Sequence, residues 1–407
     1  MRASWDVIIV GARAAGAATA MLLARAGARV LVVDRARYGS DTLSTHALMR
    51  GGTLQLHRWG LLGRVLAAGT PTVRRTVFHY GADRVPVSIK PALGVDALVA
   101  PRRTVLDAAL ADAASESGAV LRYATAFDGL TRDRDGRVTG VVLRDRAGSA
   151  HVERSDLVVG ADGRASSVAA AVEAPTLVAG RSAAAYVYGY FADLPVEGYE
   201  WFYGPGVAAG AIPTNGGLTC LFGAAPPARV AAEVSAAGPA GALRSLAAAN
   251  SPELLDRIRG SRPAESVRYV RARPGYVRRA HGPGWALVGD AGSWKDPLST
   301  HGLTDALRDA ELLARAVISA PAPGTAQDGA LAAYQSDRDR LSRDLVGVVE
   351  RLATFAWDLD TVRGLVREMA SAMTDEVSEL AGLDLAAEPV ARGYDPRGRT
   401  PLACTRR

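Results

Sequence analysis

The N-terminal segment constrains the fold most, because it has the pattern of a buried strand, a glycine-rich turn, a helix and a second buried strand. The continuous apolar run WDVIIV spans Trp5 to Val10, as in a strand that is covered on both faces of a parallel sheet. The turn GARAAG spans Gly11 to Gly16, and the helical segment AATAMLLARAG stops at Gly27, which suits a helix C-terminus. The second strand, ARVLVVD, ends at Asp34. The segment predicts a βαβ unit of an α/β domain.

The turn of this unit has the features of a dinucleotide-binding loop. Gly11 permits a tight turn, and Gly16 lets the helix pack closely on the sheet. The helix N-terminus offers free N–H groups to a pyrophosphate, and Asp34 can accept hydrogen bonds from ribose hydroxyls. Arg13 replaces the middle glycine of the G-x-G-x-x-G pattern, so its side chain must turn away from the pyrophosphate or contact it. These residues are compatible with either NAD or FAD. The structural alternative is that the segment is a glycine-rich turn of another kind of α/β protein.

Two later segments also run from a buried strand into a glycine-containing turn. RSDLVVGADGRASS carries Asp162-Gly163 after its strand, and WALVGD ends a strand at Asp290. A loop then leads from Asp290 to Gly302, where a helix begins. Each segment alone has an ordinary interpretation, as a turn or as an acid at a strand end. Their order along one chain is therefore the informative feature.

In this order and at these distances, the three segments resemble the FAD-dependent monooxygenases of the para-hydroxybenzoate hydroxylase fold. That superfamily also contains flavin-dependent halogenases and geranylgeranyl reductases, and the resemblance covers about residues 5–320. It implies an α/β fold in which a Rossmann-like FAD-binding domain of the GR2 type is interleaved with a strand-rich substrate domain and followed by C-terminal helices. The implied boundaries are 1–70, 100–175 and 276–322 for FAD binding, 71–99 and 176–275 for the substrate sheet, and 323–407 for the helices.

The resemblance also implies a set of FAD-binding residues. Asp290 is expected to bond a ribityl hydroxyl, and the helix after Gly302 is expected to direct its N-terminus at the N1–C2 carbonyl edge of the flavin. Arg103 is expected near the flavin-side phosphate, and the backbone of Phe127 near the adenine. The full implied set is Gly11, Arg13, Ala14, Ala15, Gly16, Asp34, Arg35, Ser44, Thr45, Arg103, Phe127, Asp162, Gly163, Gly289, Asp290, Pro297, Gly302 and Leu303.

The tetrapeptide LSTH occurs twice, at Leu43–His46 and at Leu298–His301. One four-residue coincidence carries little weight, and the flanking residues differ, so the copies do not indicate a duplicated unit. The resemblance implies that both copies lie in loops that meet at the flavin. His46, His301 and Lys295 then become the candidate catalytic residues, because they are the nearby side chains able to steer a proton near neutral pH. The structural alternative is a histidine bonded to a backbone carbonyl and a lysine in solvent.

The middle of the chain is rich in strands and aromatic residues. Residues 70–100 alternate as a hairpin with GAD at the turn, and residues 180–275 predict further strands. An aromatic sheet beside a flavin suits an apolar or aromatic substrate, although ordinary sheet packing is the alternative for each ring. Residues 329–382 predict helices that cap the pocket or form a partner interface. The predicted pocket residues are Tyr188, Tyr190, Trp201, Tyr203 and Phe222.

Composition excludes several classes of protein. The formal net charge is +6, but no basic run of five or six residues occurs, which gives nucleic-acid binding little support. The two cysteines cannot form a disulfide framework, and no metal site is predicted. No apolar run reaches the roughly 18 residues of a membrane span, and the N-terminus lacks the pattern of a signal peptide. A cytoplasmic protein without a membrane span is expected.

The resemblance implies a monooxygenase of secondary metabolism that contains FAD and uses NAD(P)H as a transient reductant. Such an enzyme oxygenates an aromatic or polyketide-like small molecule through a flavin C4a-hydroperoxide. A second dinucleotide unit is not found, so no separate NAD(P)H domain is expected. The alternatives are a flavin-dependent reductase of an isoprenoid-type alkene, a halogenase and a non-catalytic flavin-binding protein. Halogenases carry a W-x-W-x-I-P signature, and the segment YEWFYGPGVAAGAIP of this chain does not match it. The expected partner is the small-molecule substrate. Whether the chain also forms a homodimer is left open by the sequence.

Overall fold

The computed structural model describes residues 5–385, and its elements are numbered here in chain order. The strands are β1 (Trp5–Val10), β2 (Val30–Asp34), β3 (Thr72–Val73), β4 (Arg75–Tyr80), β5 (Asp83–Ser88), β6 (Leu98–Val99), β7 (Val120–Tyr123), β8 (Ala126–Arg132), β9 (Val138–Arg144), β10 (Ala150–Gly160), β11 (Thr176–Ala179), β12 (Ala185–Ala192), β13 (Tyr199–Gly204), β14 (Val207–Thr214), β15 (Leu218–Ala225), β16 (Arg262–Pro263), β17 (Arg268–Val270), β18 (Tyr276–Arg278), β19 (His281–Gly282), β20 (Trp285–Leu287) and β21 (Ser293–Trp294). The α-helices are α1 (Ala14–Arg25), α2 (Arg50–Arg58), α3 (Leu62–Ala67), α4 (Arg103–Glu116), α5 (Ser167–Ala171), α6 (Pro227–Asn250), α7 (Pro252–Arg259), α8 (Gly302–Ser319), α9 (Thr325–Leu352) and α10 (Leu359–Leu385), and the short 3-10 helices are η1 (Asn215–Gly217), η2 (Gly289–Ala291) and η3 (Pro297–Ser299).

The first sheet confirms the predicted βαβ unit. Its strands follow the order β19-β20-β10-β1-β2-β7, and β1 pairs in parallel with both β2 and β10. Val7 and Ile9 point to the side of α1, α4 and α8, whereas Ile8 and Val10 pack with β9 and α5 on the other side. Burial on both faces explains the continuous apolar run of β1. The carboxyl end of β1 lies between two parallel neighbours, which is where ligands bind in doubly wound sheets.

The second sheet carries the aromatic residues. Its strands follow the order β16-β12-β15-β14-β13-β4-β5, with β17 also paired to β12. The hairpin predicted in residues 70–100 is present as β4 and β5, joined at Tyr80 and Asp83. One face of the sheet packs against α6 and α7. The other face is aromatic and is covered by α9 and α10.

One difference from the sequence prediction concerns helices. Residues 227–259 lie within the region predicted to be strands, but they form α6 and α7. This segment is rich in alanine, and α6 begins with Pro227. Ser251 is the N-cap of α7, and its hydroxyl accepts a hydrogen bond from the Leu254 N–H. These local signals favour helices in this segment. The predicted C-terminal helices are α9 and α10, and residues 386–407 lie outside the described part of the chain.

Membrane insertion through a helix finds no support in the described residues. Across residues 5–385, none of the helices combines the length and the apolar composition that crossing a bilayer requires.

Candidate flavin site

The glycine-rich turn after β1 has the geometry that a dinucleotide requires. Gly11 has a φ of 110°, and a Cβ at this position would lie 2.4 Å from the carbonyl oxygen of Ala161. A Cβ at Gly16 would lie 1.8 Å from the carbonyl oxygen of Gly11. Arg13 is the N-cap of α1, and no side chain in the described residues caps this helix. The N–H groups of the first turn, at Ala14 and Ala15, are therefore suited to donate hydrogen bonds to phosphate oxygens.

Asp34 organises this turn at the end of β2. Its Oδ2 accepts a hydrogen bond of 2.8 Å from the Ala12 N–H, and its Oδ1 accepts one of 2.7 Å from the Ala36 N–H. Each carboxylate oxygen can accept a further hydrogen bond, so the predicted ribose contact is compatible with this arrangement. The carboxylate thus shapes the loop in addition to any role toward a ligand.

A shallow depression beside Asp34 marks the expected nucleoside end of the site. The rings of Tyr38 and Tyr123 meet edge to face there, with 5.6 Å between centroids. Neither tyrosine was predicted from the sequence, although Tyr38 is an aromatic residue that follows shortly after the strand-end acid Asp34. Phe127 does not line this depression and packs with the cluster of Ile8, and Arg35 is exposed. The lining residues are Ala12, Arg13, Asp34, Ala36, Arg37, Tyr38, Gly39, Ser40, Asp107, Ala108 and Tyr123.

Asp107 holds two of the predicted arginines. Arg103 donates to Asp107 through Nε at 3.1 Å and through Nη2 at 2.9 Å, and Arg13 reaches the same carboxylate at 3.4 Å. Arg13 also donates to the Ser40 hydroxyl at 3.4 Å. Two guanidinium groups thus lie near the turn and share one carboxylate, and guanidinium groups suit a pyrophosphate. The phosphate contact of Arg103 remains a prediction.

The Asp162-Gly163 turn lies against the glycine loop, because Ala161 limits the space at Gly11. Asp162 accepts hydrogen bonds from the Ser166 hydroxyl at 2.5 Å and from the Ser167 N–H at 2.6 Å. Its carboxylate therefore caps α5. Gly163 has a φ of 78° and no described atom within 4 Å of an added Cβ, so its open side can accept a ligand.

The third segment brings Gly289 and Asp290 to the first turn of α1. Gly289 has a φ of 60°, and a Cβ there would lie 3.0 Å from the Cβ of Ala15. Burial, and then the negative charge of Asp305, raise the pKa of Asp290 to about 6, although Lys295 and two arginines act against them. Within residues 5–385 no donor hydrogen-bonds to the Asp290 carboxylate, so a ribityl hydroxyl would supply a missing partner.

The remaining predicted positions lie at the start of α8 and in the first LSTH loop. Gly302 is exposed, and the structure places no described atom within 4 Å of a Cβ added there. The space before the α8 N-terminus is therefore open to a ligand. Pro297, Leu303, Ser44 and Thr45 are all partly exposed.

The two LSTH loops share one local turn but differ in backbone conformation. In each copy the serine hydroxyl accepts a hydrogen bond from the histidine N–H, at 3.0 Å for Ser44 and 3.3 Å for Ser299. The left-handed residue is His46 in the first copy, with a φ of 66°, and Thr300 in the second, with a φ of 48°. The repeat therefore encodes a common serine turn and not a common loop.

His46 is fully buried and is bonded to a side chain. Its Nε2 forms a hydrogen bond with the Tyr190 hydroxyl, and the Arg102 guanidinium lies 3.9 Å from the centre of the Tyr190 ring. Burial, and then the charges of Arg102 and Arg103, lower the pKa of His46 to about 3. The imidazole is consequently neutral, and its Nδ1 has no partner among the described residues.

Lys295 and His301 are also buried and paired. The Lys295 Nζ lies 2.6 Å from an Asp305 oxygen, and His301 Nε2 lies 2.5 Å from a Glu376 oxygen. The structural alternative of a lysine in solvent is therefore wrong. Glu376 was not predicted from the sequence, although this acid lies in the apolar stripe of α10 that includes Met369 and Leu380.

His301, Asp305 and Glu376 offer ligand atoms within 4.8 Å of one another. The same carboxylates already bind Lys295 and Arg308, and a metal ion beside two fixed cations would be repelled. We therefore assign no metal to this cluster.

The five predicted pocket residues share one buried cluster on the inner face of the second sheet. Tyr188 lies opposite Phe222 in the β12–β15 register. The rings of Trp201 and Phe222 lie over Gly210, where an added Cβ would be 2.4 Å from the Phe222 ring. Tyr203 meets Trp357, which follows α9, with 6.2 Å between ring centroids.

Comparison with known proteins agrees with this geometry. The chain is 27% identical over 338 residues to the menaquinone reductase of Mycolicibacterium smegmatis, covering 77% of this chain and 76% of that protein. It is 24% identical over 368 residues to the digeranylgeranylglycerophospholipid reductase of Methanocella arvoryzae, covering 85% and 86%. The solved structure of PqsL, described as a probable FAD-dependent monooxygenase from Pseudomonas aeruginosa, superposes with a TM-score of 0.75 at 22% identity, covering 90% of this chain and 100% of that chain.

This structural likeness shows a common fold, and it confirms the predicted α/β architecture with its FAD-binding domain. The model of the FAD binding domain family matches residues 4–348. The chain therefore belongs to the FAD binding domain family and is an FAD-dependent oxidoreductase-type enzyme.

Proposed function

We propose that this protein is an NAD(P)H-dependent flavin monooxygenase that oxygenates an apolar, aromatic small molecule. The observation that supports this proposal most directly is that the aromatic face of the second sheet is hydrogen-bonded to the region of both LSTH loops. Tyr190 bonds to His46 in the first loop, and Tyr186 donates to Asp296, which precedes the second loop. The aromatic face is thereby fixed against the part of the chain where the flavin ring is expected.

The described residues fit FAD. Gly11 and Gly16 permit the tight, closely packed turn of the loop, and the first turn of α1 supplies donors. The Asp290 carboxylate supplies an acceptor to which none of residues 5–385 donates. Bound FAD supplies the electron transfer and the oxygen chemistry, whereas the protein positions the substrate and excludes water. NAD(P)H is proposed as a transient reductant.

The tyrosine, cysteine and histidine side chains of the aromatic face are neutral, which favours an apolar substrate. Burial raises the pKa values of Tyr188 and Tyr190, so their hydroxyls stay protonated at neutral pH. Burial also raises the pKa of the Cys220 thiol to about 12. His46 is neutral for the same reason. A neutral aromatic wall with a few hydroxyl groups suits recognition of a ring system.

A second candidate is a flavin-dependent reductase that saturates a carbon–carbon double bond of an isoprenoid-type substrate. Two relatives that cover three quarters or more of this chain bear the name reductase. The same apolar face would accommodate an isoprenoid chain. The two candidates differ in whether molecular oxygen is consumed.

The deciding experiment measures NAD(P)H oxidation by the FAD-loaded protein with a panel of aromatic, polyketide-like and isoprenoid compounds, in air and without oxygen. A monooxygenase consumes one NAD(P)H and one O₂ per turnover, inserts one oxygen atom into the product and releases the other as water. Labelled ¹⁸O₂ should therefore mark the product. Oxygen-independent formation of a product carrying two additional hydrogen atoms would instead support the reductase and overturn our proposal.

A further inference from the structure

A cavity of about 510 Å³ beside the first LSTH loop is lined by arginines. It is formed by segments far apart in sequence, the turn after β10 and the stretch from β17 to β18. Its other lining residues, which include Leu43 of the first LSTH loop, are uncharged, and among the residues that the structure describes no acid lines it. The arginines of this arginine cavity are Arg164, Arg268, Arg271 and Arg273.

Aromatic side chains hold the two segments of the arginine cavity together. The Cζ of Arg164 lies 5.4 Å from the centre of the Trp294 ring, and the Trp294 indole N–H donates a hydrogen bond of 3.3 Å to the Arg273 carbonyl oxygen. The Tyr276 hydroxyl lies 3.0 Å from the Arg164 carbonyl oxygen. The fold therefore brings these arginines together, which distinguishes them from arginines scattered over a solvated surface.

The arginine cavity adjoins the candidate flavin site. The Tyr276 hydroxyl also lies 2.6 Å from the carbonyl oxygen of Asp290. Burial, and then Asp305, raise the pKa of Asp290 to about 6, and Arg164 is one of the cations whose charge opposes this shift. A ligand anchored by Arg164 is therefore close to the residue that is expected to bond the flavin's ribityl chain.

The same cavity also borders the aromatic face of the second sheet. Arg268 lies opposite Tyr188, and Val270 lies opposite Tyr186, in the register of β17 with β12. Side chains directly opposite each other on paired strands project to the same side of a sheet. One end of a ligand can therefore bind in the arginine cavity while the remainder lies against the aromatic face.

Three of the arginines have no carboxylate partner in the described part of the chain. Arg268 lies 3.6 Å from Glu265, and both side chains are partly exposed, whereas Arg164, Arg271 and Arg273 form no ion pair within residues 5–385. Guanidinium groups that are held together repel one another. A phosphate or carboxylate relieves this repulsion and matches the paired N–H donors of each guanidinium.

We propose that the arginine cavity is an anion-binding site that holds the phosphate or carboxylate group of a ligand while an uncharged ring of that ligand reaches the flavin. The inference rests on the proposed function, because the anion belongs either to the pyrophosphate of NAD(P)H or to an aromatic substrate with an anionic end. The neutral side chains of the aromatic face offer such an anion no cation, whereas the arginine cavity does.

The first test is a calorimetric titration of the FAD-loaded full chain with inorganic pyrophosphate at low ionic strength. We expect binding that Arg271→Gln weakens by about tenfold and Arg271→Gln/Arg273→Gln weakens further, since both arginines are exposed and their loss leaves the fold intact. Arg146→Gln, at an exposed arginine in the turn between β9 and β10, is the matched control and should bind as the wild type does. No binding to the wild type, or equal binding to the double variant, overturns the inference.

The second test identifies the source of the anion. If NAD(P)H supplies it, pyrophosphate should compete with NAD(P)H in oxygen-free reduction of the flavin. The double variant should then raise the NAD(P)H concentration that gives half the maximal reduction rate by about tenfold or more. If the substrate supplies it, reduction should be unchanged. The double variant should instead weaken the effect of naphthalene-2-carboxylate on the flavin absorption spectrum, and the uncharged naphthalene-2-carboxamide should act equally on both proteins.

Either pattern supports the arginine cavity as a site for a ligand of the flavin. Pyrophosphate binding with neither pattern would mean an adventitious ion only, and would overturn the inference. These measurements use neither oxygen nor product formation. A failed oxygenation assay therefore refutes the proposed function alone, whereas a failed pyrophosphate titration refutes the anion site alone.

Discussion

The backbone N–H of Met49 donates a hydrogen bond of 3.1 Å to the Thr304 hydroxyl. Met49 is the N-cap of α2 and follows the first LSTH loop, whereas Thr304 lies in the first turn of α8 and follows the second. Thr304 also packs against Gly52, where an added Cβ would lie 2.9 Å from its hydroxyl. Two loops far apart in sequence are therefore held together at the helices that they precede, which supports the prediction that they meet at one cofactor.

Thr304→Val should destabilise the protein by about 1–3 kcal/mol, because it leaves the Met49 N–H without its acceptor in a partly buried position. Urea unfolding of the wild-type and variant proteins measures this difference. Thr374→Val is the matched control, since Thr374 is exposed and bonds only within α10, and it should change stability by less than about 0.5 kcal/mol. Equal stability of the Thr304 variant and the wild type would show that this contact does not join the loops.

FAD affinity should increase as the pH rises through about 6, because Asp290 has its pKa raised to that value in the FAD-free protein. A ribityl hydroxyl that donates to Asp290 favours the ionised carboxylate, so binding strengthens as the proton is lost. Because the pKa of Asp290 is higher in the folded, FAD-free protein than in the unfolded chain, its protonation stabilises the FAD-free fold at low pH. This contribution to stability is lost as the pH rises through about 6.

Fluorescence titration of FAD between pH 5 and pH 8 tests this dependence. Asp290→Ala should weaken binding by about 1–3 kcal/mol at neutral pH and remove the pH dependence near 6. Asp328→Ala, at a partly exposed position in the first turn of α9, serves as the control. An unchanged pH profile in the Asp290 variant would contradict the assignment of this residue.

The FAD-binding half was predictable because its signals are local. A strand buried on both faces has a continuous apolar sequence, and Gly11 and Gly16 occupy positions where a side chain would collide with backbone oxygens. The helices α6 and α7 were missed because the strands around them dominated the interpretation of residues 176–275.

The pairings of the candidate catalytic residues were not predictable. His301 and Glu376 are 75 residues apart, and His46 and Tyr190 are 144 residues apart. The local sequence of either loop does not indicate which distant side chain forms a hydrogen bond with its histidine. The sequence showed where titratable groups occur, but tertiary packing decides that they are buried and paired.

His46→Gln should reduce the loss of stability in acid. The depressed pKa means that the unfolded chain takes up a proton at His46 below about 6.5, whereas the folded protein does so only near 3. The stability from neutral His46 is therefore fully present above 6.5 and is lost as the pH falls toward 3. Urea midpoints measured at pH 7 and pH 5 should differ less in the variant, and His151→Gln, at a partly exposed position on β10, should retain the wild-type difference.

Gly210→Ala tests whether the aromatic face is packed as the structure shows. The added Cβ would lie 2.4 Å from the Phe222 ring and 2.9 Å from the Trp201 ring, so we expect a destabilisation of about 1–3 kcal/mol through overpacking. Gly347→Ala on α9 is the control, because the structure places no described atom within 4 Å of its added Cβ; alanine should stabilise that helix by about 0.5–1 kcal/mol.

The double variant Gly210→Ala/Phe222→Leu separates packing from backbone strain at Gly210. A smaller side chain at 222 frees the space that the new methyl group needs, so the double variant should be more stable than the sum of the two single effects predicts. Strict additivity of the two stability changes would mean that Gly210 is required by the backbone of β14 and not by the rings above it.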